Sequence, residues 1–448
     1  MEDKFQKSLA LYTDHYEFTM LDALVKAGHA DRKSTFEVFT REIALGRPFG
    51  VFAGVMRVLQ GLENFLFNED HLRYLEEQNI ISSFTKDWLR EFRFSGDLTS
   101  YKEGEIYFPR SPVLTVEAPL GEALILETFI LSILNFDSAI ATAANRIVEA
   151  ASGRFVMEAG SRRVTPEAAV HAARAAYVGG VDVTSNLEAG KRWGIPTAGT
   201  ASHAFTLAFE SEIEAFETQS KYLGEDSIFL VDTYNIEEGI RNAVRASNVN
   251  LKGIRIDSGD LATEAQIARE LLDSLGARQA QIMVSGDLDE YRIMELVNEP
   301  IDAFESGHRL VTGSGSGSAG FVYKLVEIEE PSHKDGMRPV AKSSKGKISK
   351  GGQKIAKRKL NLAGTAIEES LFLKAHENID IPSGNYRDLQ SQLIEGGIAK
   401  ENLSLEDARV HLTKVLSEIP EEIRLRVEGD PAVPTVVYGE DGEDREDG

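Results

Sequence analysis

The sequence predicts an α/β protein centred on a barrel of parallel strands. Three observations lead there. Short apolar runs, among them "RFVMEAGSRR", "SIFLVDTYN", "GIRIDSGDL" and "AQIMVSGDL", alternate with helical segments such as "IEEGIRNAVRAS" and "ATEAQIARELLDSLG". The alternation recurs at roughly 25-residue spacing, the rhythm of successive strand–helix units in a parallel sheet. Polar and charged residues follow each apolar run, so they gather at strand C-terminal ends, the face on which α/β barrels place their chemistry.

Residues 1–120 mix helical patterns ("YEFTMLDALVKAG", "VMRVLQGLENFLF") with alternating pieces ("STFEVFTRE", "SPVLTVEAP"), which predicts a separate N-terminal α/β domain. Residues 121–328 open with a long helix, Glu122 to Ala151, and then carry the barrel. Its strands are expected at "RFVMEAGSRR", "VGGVDVTSN", "IPTAGTAS", "SIFLVDTYN", "GIRIDSGDL", "AQIMVSGDL" and "RLVTGSGSG". A helix is expected from the residues after His203, "TLAFESEIEAFETQ". Residues 329–448 read as a basic loop, C-terminal helices and an acidic tail, "GEDGEDREDG", part of the segment joining the N-terminal domain.

Bulk properties narrow the function. At 448 residues the chain exceeds one ordinary core. No run of apolar residues is long enough for a membrane span, and "MEDKFQKSLALYTDHYEF" lacks the apolar stretch of a signal peptide. Cysteine is absent, which excludes disulfides, thiolate zinc sites and cysteine nucleophiles and suits a cytoplasmic protein. A net charge of −23 argues against nucleic acid as partner. One basic stretch, Lys342 to Lys359, runs against the trend; without an aromatic residue it reads as a surface loop, or as a flap over an anionic substrate.

The polar set on the expected rim comprises Glu158 with Arg162 and Arg163, Asp182 with Thr184 to Asn186, Thr200 with His203, Asp232, Asp257 with Asp260, and Asp287. One such residue is an ordinary loop polar; so many on one rim read as an active site. "TGSGSGSAG", Thr312 to Gly320, is a backbone N–H nest for an anion. Its formal G-x-G-x-x-G leads into "FVYKLVEI", a strand rather than a helix, so the dinucleotide-binding reading fails and a phosphate site near the last barrel strands fits better. No Walker loop and no H-E-x-x-H occurs, and nine histidines without cysteine give a protein-held transition metal little support. Of Arg162 and Arg163, one is suited to clamp phosphate while the other packs. "RIDSGDL" suits a magnesium-bound sugar phosphate, although a rim salt bridge uses the same residue types. His203, among the small residues Gly199, Ala201, Ser202 and Ala204, is on its own an ordinary helix-start histidine.

The blocks "LYTDHYEFTM", "FEVFTRE", "EAGSRR", "VDVTSNLEAGKRWGIPTAGTASHAF", "LVDTYN", "IRIDSGDL", "VSGDLDEY" and "RLVTGSGSGSAGFVYKLVEI", in this order, resemble the nicotinate phosphoribosyltransferase family over roughly residues 8 to 370. The resemblance implies an incomplete TIM-like α/β barrel with a discontinuous N-terminal α/β domain, and a homodimer whose active sites take residues from both chains. It implies an ATP-coupled, ligase-type transfer of phosphoribosyl from 5-phosphoribosyl 1-pyrophosphate to nicotinate, giving nicotinate mononucleotide for NAD salvage, with Mg²⁺ accompanying the substrates. His203 falls on the family's phosphorylated histidine, and Asp257 on a catalytic carboxylate. Tyr16 looks like the aromatic that covers the pyridine ring. Arg162 looks like the substrate arginine with Arg163 beside it, and Arg255 with Asp257 like the ribose and ring contacts. Asp182, Thr184, Ser185 and Thr200 lie in the substrate loops, and Gly286, Gly313 and Gly315 fall where backbone holds the 5′-phosphate.

One block departs. Where relatives usually read Gly-Val-Gly-Thr this chain has "ESGH", Glu305 to His308, which brings a carboxylate near the phosphate nest. The chemistry agrees with the resemblance: displacing pyrophosphate at an anomeric carbon builds positive charge on the ribose, so carboxylates by the ring, cations and Mg²⁺ on the diphosphate and backbone donors for the phosphate are what the step needs. Three alternatives share parts of this pattern. A quinolinate phosphoribosyltransferase needs no ATP and has no use for His203; a nicotinamide phosphoribosyltransferase is expected to carry an acidic residue near Ser185; a catalytically dead barrel that binds a phosphosugar has no use for an intact rim.

Overall fold

The computed structural model describes residues 8–224, 227–247, 250–333, 336–342, 350–374, 381, 383–400, 404–426, 428–439 and 442–444. Two compact units divide the chain, Met1–Ala139 with Ser318–Gly448, and Ile140–Gly317. The boundaries therefore fall near 139 and 317 rather than at 120 and 328. Two continuous elements explain the difference. Glu127–Ala150 is one helix, and its first turns bring Phe129, Ile130, Ile133 and Leu134 into the first unit's core. Phe321–Glu329 pairs antiparallel with Lys33–Thr40, which returns the chain to that unit.

The first unit holds a seven-stranded sheet in the order Met337–Pro339, Phe321–Glu329, Lys33–Thr40, Leu114–Pro119, Asp97–Tyr101, Gln390–Glu395, Ile398–Ala399. A second sheet orders Asn385–Asp388, Lys354–Leu360, Ala366–Leu373, Thr435–Gly439 and Gly442–Asp444. The expected C-terminal helices thus shrink to Leu405–Leu416 and Glu421–Arg424 among the described residues. "KIAKRKL" hides its strand because the inward positions are charged: Lys354 Nζ donates to Glu37 at 2.8 Å and the fully buried Arg358 Nε to Glu369 at 2.9 Å. Of the basic stretch, residues 343–349 lie outside the described residues, as do 440–441 and 445–448 of the acidic tail.

The second unit is the incomplete α/β barrel. Its parallel sheet runs Val183–Thr184, Phe155–Glu158, Ala303–Ser306, Gln281–Gly286, Gly253–Ile256, Ile228–Leu230. Ile254, Ile256, Ile282, Val284 and Phe304 are buried, as strands covered on both faces require. Two of the expected strands differ. "IPTAGTAS" touches the sheet through a single bridge, Thr184 to Thr197, and "RLVT" begins as the one-turn helix His308–Val311. The strand there is Ala303–Ser306, whose apolar run is only Ala303-Phe304 and so escapes pattern reading. The residues after His203 also split, into His203–Leu207 and Glu212–Leu223, because Ser211 caps the second helix by accepting from Glu214 N. Loops leaving the strands are fixed the same way: Asn186, Asn235, Asp260 and Asp289 each cap the helix that follows. Among the described residues no helix is long and apolar enough to cross a membrane.

Candidate active site

His203 opens its short helix half-exposed. Its Nδ1 lies 3.1 Å from the Thr233 hydroxyl and its Nε2 3.9 Å from Asp232 Oδ1. Asp232 stands just past the Ile228–Leu230 strand with its side chain 1% exposed. Its Oδ2 accepts from Asp257 N at 3.1 Å and from the Ser258 hydroxyl at 2.6 Å. Its Oδ1 has no hydrogen-bond partner among the described residues. A buried carboxylate oxygen left open costs free energy unless something else meets it, and His203 is the group it faces.

Arg255 points into the barrel. Its Nη1 donates to Thr200 Oγ1 at 2.7 Å and to Glu305 Oε2 at 3.0 Å, while its buried Nε has no partner among the described residues. The carboxylate of the departing "ESGH" block is therefore taken up by an expected substrate contact, inside the barrel. Ser306 and Gly307 keep the block's backbone in place: the Ser306 hydroxyl donates to Leu288 O, and a Cβ at Gly307 would crowd the Ala159 carbonyl. Asp257, just beyond Ile256, accepts from the Ser285 hydroxyl on the neighbouring strand. Gly286 follows with φ +130°, a conformation that favours glycine.

Glu158 ends the first barrel strand fully buried, held by the Thr184 hydroxyl and Gly160 N. Burial raises its pKa above the ordinary carboxylate value, and Glu305 adds to the rise against those two hydrogen bonds. Ser185 N donates to Glu158 O at 2.8 Å, and the Asn186 side-chain amide reaches Ser161. Arg162 and Arg163 are both exposed just past the strand. Asp182 does not share the rim. It precedes its strand, and its Oδ2 accepts from Val156 N at 2.8 Å, so its side chain extends a ladder rather than facing the loops. The Asp182 position is thus corrected from rim to strand entry, because the apolar run there ends at Thr184, two residues later than the pattern suggests. Asp260 accepts from Ala262 N and the Thr263 hydroxyl, as a helix cap.

The glycine segment turns tightly. Gly313, Ser314 and Gly315 all have positive φ, +76°, +51° and +97°; a Cβ at Gly313 would collide with the Ser316 carbonyl. Ser314, a non-glycine in this region, is held by its hydroxyl on Glu290, which in turn takes Arg146 Nε at 3.0 Å. Both members of that ion pair are nearly buried, so the turn rests on a rigid base. Thr233, Ser285, Glu290 and Arg146 escaped sequence reading; each acts through a partner distant in sequence. In the other unit, Tyr16 lies on the helix His15–Lys26 with 44% of its surface exposed.

A glycine turn beyond the last strand of an incomplete barrel, with carboxylates and exposed guanidinium groups on the same rim, is the arrangement of barrel proteins that handle phosphorylated sugars. Comparison narrows that class. Residues 11–135 match the nicotinate phosphoribosyltransferase (NAPRTase) N-terminal domain, and residues 140–313 the quinolinate phosphoribosyl transferase C-terminal domain. A nicotinate phosphoribosyltransferase of Mycobacterium tuberculosis, pncB1, is 44% identical over 438 residues, covering 96% of this chain and 95% of that protein. That of Bacillus subtilis is 38% identical, covering 72% of this chain and 68% of that one. The crystal structure of human nicotinic acid phosphoribosyltransferase shares the fold with a TM-score of 0.81 at 23% identity, covering 95% of this chain and 97% of that one. The chain belongs to the nicotinate phosphoribosyltransferase family.

Proposed function

We propose that this protein transfers phosphoribosyl from 5-phosphoribosyl 1-pyrophosphate to nicotinate, forming nicotinate mononucleotide for NAD salvage, and couples the transfer to ATP through His203. Family membership supports the transfer. The observation that carries the coupling is the open oxygen of buried Asp232, 3.9 Å from His203 Nε2. Thr233 fixes the ring, and the carboxylate offsets the positive charge the imidazole gains as a nitrogen attacks the γ-phosphorus. The N–P bond forms, the bond to the bridging β–γ oxygen breaks, and ADP leaves. In the transfer itself the pyridine nitrogen attacks the anomeric carbon and pyrophosphate departs, so no serine or cysteine needs activation.

The rim divides the work. Asp257 faces developing positive charge on the ribose, the Gly313–Gly315 turn and Gly286 hold the 5′-phosphate, and Arg162 or Arg163 meets the diphosphate. Thr184, Ser185, Thr200 and Arg255 border the ring. Mg²⁺ binds through one or two carboxylates plus substrate phosphates rather than a full protein cage; Asp232, with an oxygen open, and Asp257 fit that role, and the ion would neutralise the leaving diphosphate. The helix His203–Leu207 is a single turn and a half, so its dipole contributes little to holding the phosphoryl group. Two subunits share each site, with Tyr16 of the partner subunit over the ring.

Pyrophosphate release from nicotinate, nicotinamide and quinolinate, with and without Mg-ATP, tests the assignment. Nicotinate is expected to be used, with ATP hydrolysis accompanying it; turnover of quinolinate alone defeats it.

A further inference from the structure

The barrel has a seam. Its end strands, Val183–Thr184 and Ile228–Leu230, do not pair with each other among the described residues, and the chain between them is tied by the single Thr184–Thr197 bridge. A cavity of about 460 Å³ opens along this seam, a volume typical of small-molecule pockets. Phe155 and Ala303 in its wall are the first residues of their strands, so it lies toward the end opposite the rim. Met283 extends the apolar wall, and Lys252 brings a cation at an exposed position.

Gln219 gives the cavity a polar point. It is 2% exposed, and its Nε2 donates to Ile228 O at 3.0 Å. Its Oε1 has no partner among the described residues. Evolution of a packed wall around an unmet acceptor is costly unless a donor arrives from outside the fold. Thr200, which also lines the cavity, is the residue that receives Arg255 and leads to His203 three positions on.

We propose that this cavity is a second small-molecule site, distinct from the nicotinate site and meeting it only at Thr200. Its ligand is a flat, largely apolar ring compound with a ring N–H for Gln219 Oε1 and an acidic group for Lys252. Nicotinate itself does not fit this description, because its ring nitrogen accepts rather than donates. Occupancy holds the Ala198–Thr200 segment and thereby the approach to His203. Binding does not depend on which reaction the rim performs.

Isothermal titration of the full chain with indole-3-propionate, which has the ring N–H, the flat apolar body and the carboxylate, tests the site. Saturable binding with one ligand per chain is expected, and it persists at saturating nicotinate because the two ligands do not compete for the same space. Lys252→Glu, an exposed change that spares the core, is expected to weaken it at least about tenfold. Ala303→Leu, which fills the cavity, is expected to abolish it while circular dichroism shows the fold retained. Displacement by nicotinate, absence of saturable binding to the parent protein, or unaltered affinity in Lys252→Glu overturns the proposal.

Discussion

His203 meets two groups of different use: a hydroxyl that fixes its ring through Nδ1 and a buried carboxylate that faces Nε2. From that geometry, incubation with Mg-ATP alone is expected to leave an acid-labile, base-stable phosphate on the protein, and His203→Asn to abolish both the label and nicotinate-stimulated ATP hydrolysis. Stoichiometric labelling of the Asn variant rules the histidine out. Glu305 invites a second test. Its carboxylate, paired with Arg255 at 3.0 Å, repels the acid group of nicotinate wherever Arg255 reaches the ring. Glu305→Gln keeps the shape and a hydrogen-bond acceptor but removes the charge, so the KM for nicotinate is expected to fall roughly three- to tenfold, up to about 1.4 kcal/mol, with kcat little changed. An unchanged or raised KM takes Arg255 away from the carboxylate. Glu158, Asp232 and Asp257 were legible because a polar residue after an apolar run tends to lie at a strand end; Asp182 was not, because it precedes its strand. The partners of rim residues were not legible either: Glu305 is 50 positions from Arg255, and Thr233 is 30 from His203, pairings that only strand order creates.

At the level of elements, the parallel rhythm was readable because strands buried on both faces are apolar throughout, and the C-terminal sheet was not because charge fills its interior. Glu105 shows how that interior is held. Arg387 Nη1 and Nη2 reach it at 2.7 and 3.0 Å, and His411 Nε2 at 2.8 Å, with Arg358 3.8 Å away. Burial alone would raise its pKa, but the His411 and Arg387 hydrogen bonds and the Arg358 and Arg387 charges outweigh it and hold the group at about 2 against an ordinary 4.5. A depressed carboxylate contributes stability that is complete above the unfolded value and disappears as pH falls through the folded one. The window is therefore pH 4.5 down to about 2, and the linked free energy is on the order of 3 kcal/mol. Thermal unfolding of the parent and of Arg387→Gln across this range is expected to show a gap that is widest above pH 4.5 and closes toward pH 2. A gap independent of pH removes Glu105 as its source.

For the whole molecule, the proposal that two subunits share each site is testable through Tyr16 and His203. In a homodimer with shared sites, each site takes Tyr16 from one chain and His203 from the other. Tyr16→Ala loses the ring cover and is expected to raise the KM for nicotinate, while His203→Asn loses ATP coupling. Each homodimer then has both of its sites damaged. Co-expression distinguishes the two arrangements, because random pairing makes about half the dimers mixed. In a mixed dimer one site receives the intact Tyr16 and the intact His203, and the other receives both substitutions. Roughly a quarter of all sites therefore recover, and ATP-coupled turnover at limiting nicotinate is expected to rise to about that fraction of the parental rate. If each site draws both residues from a single chain, every site in every dimer keeps one substitution, and mixing gives no more than the average of the two variants.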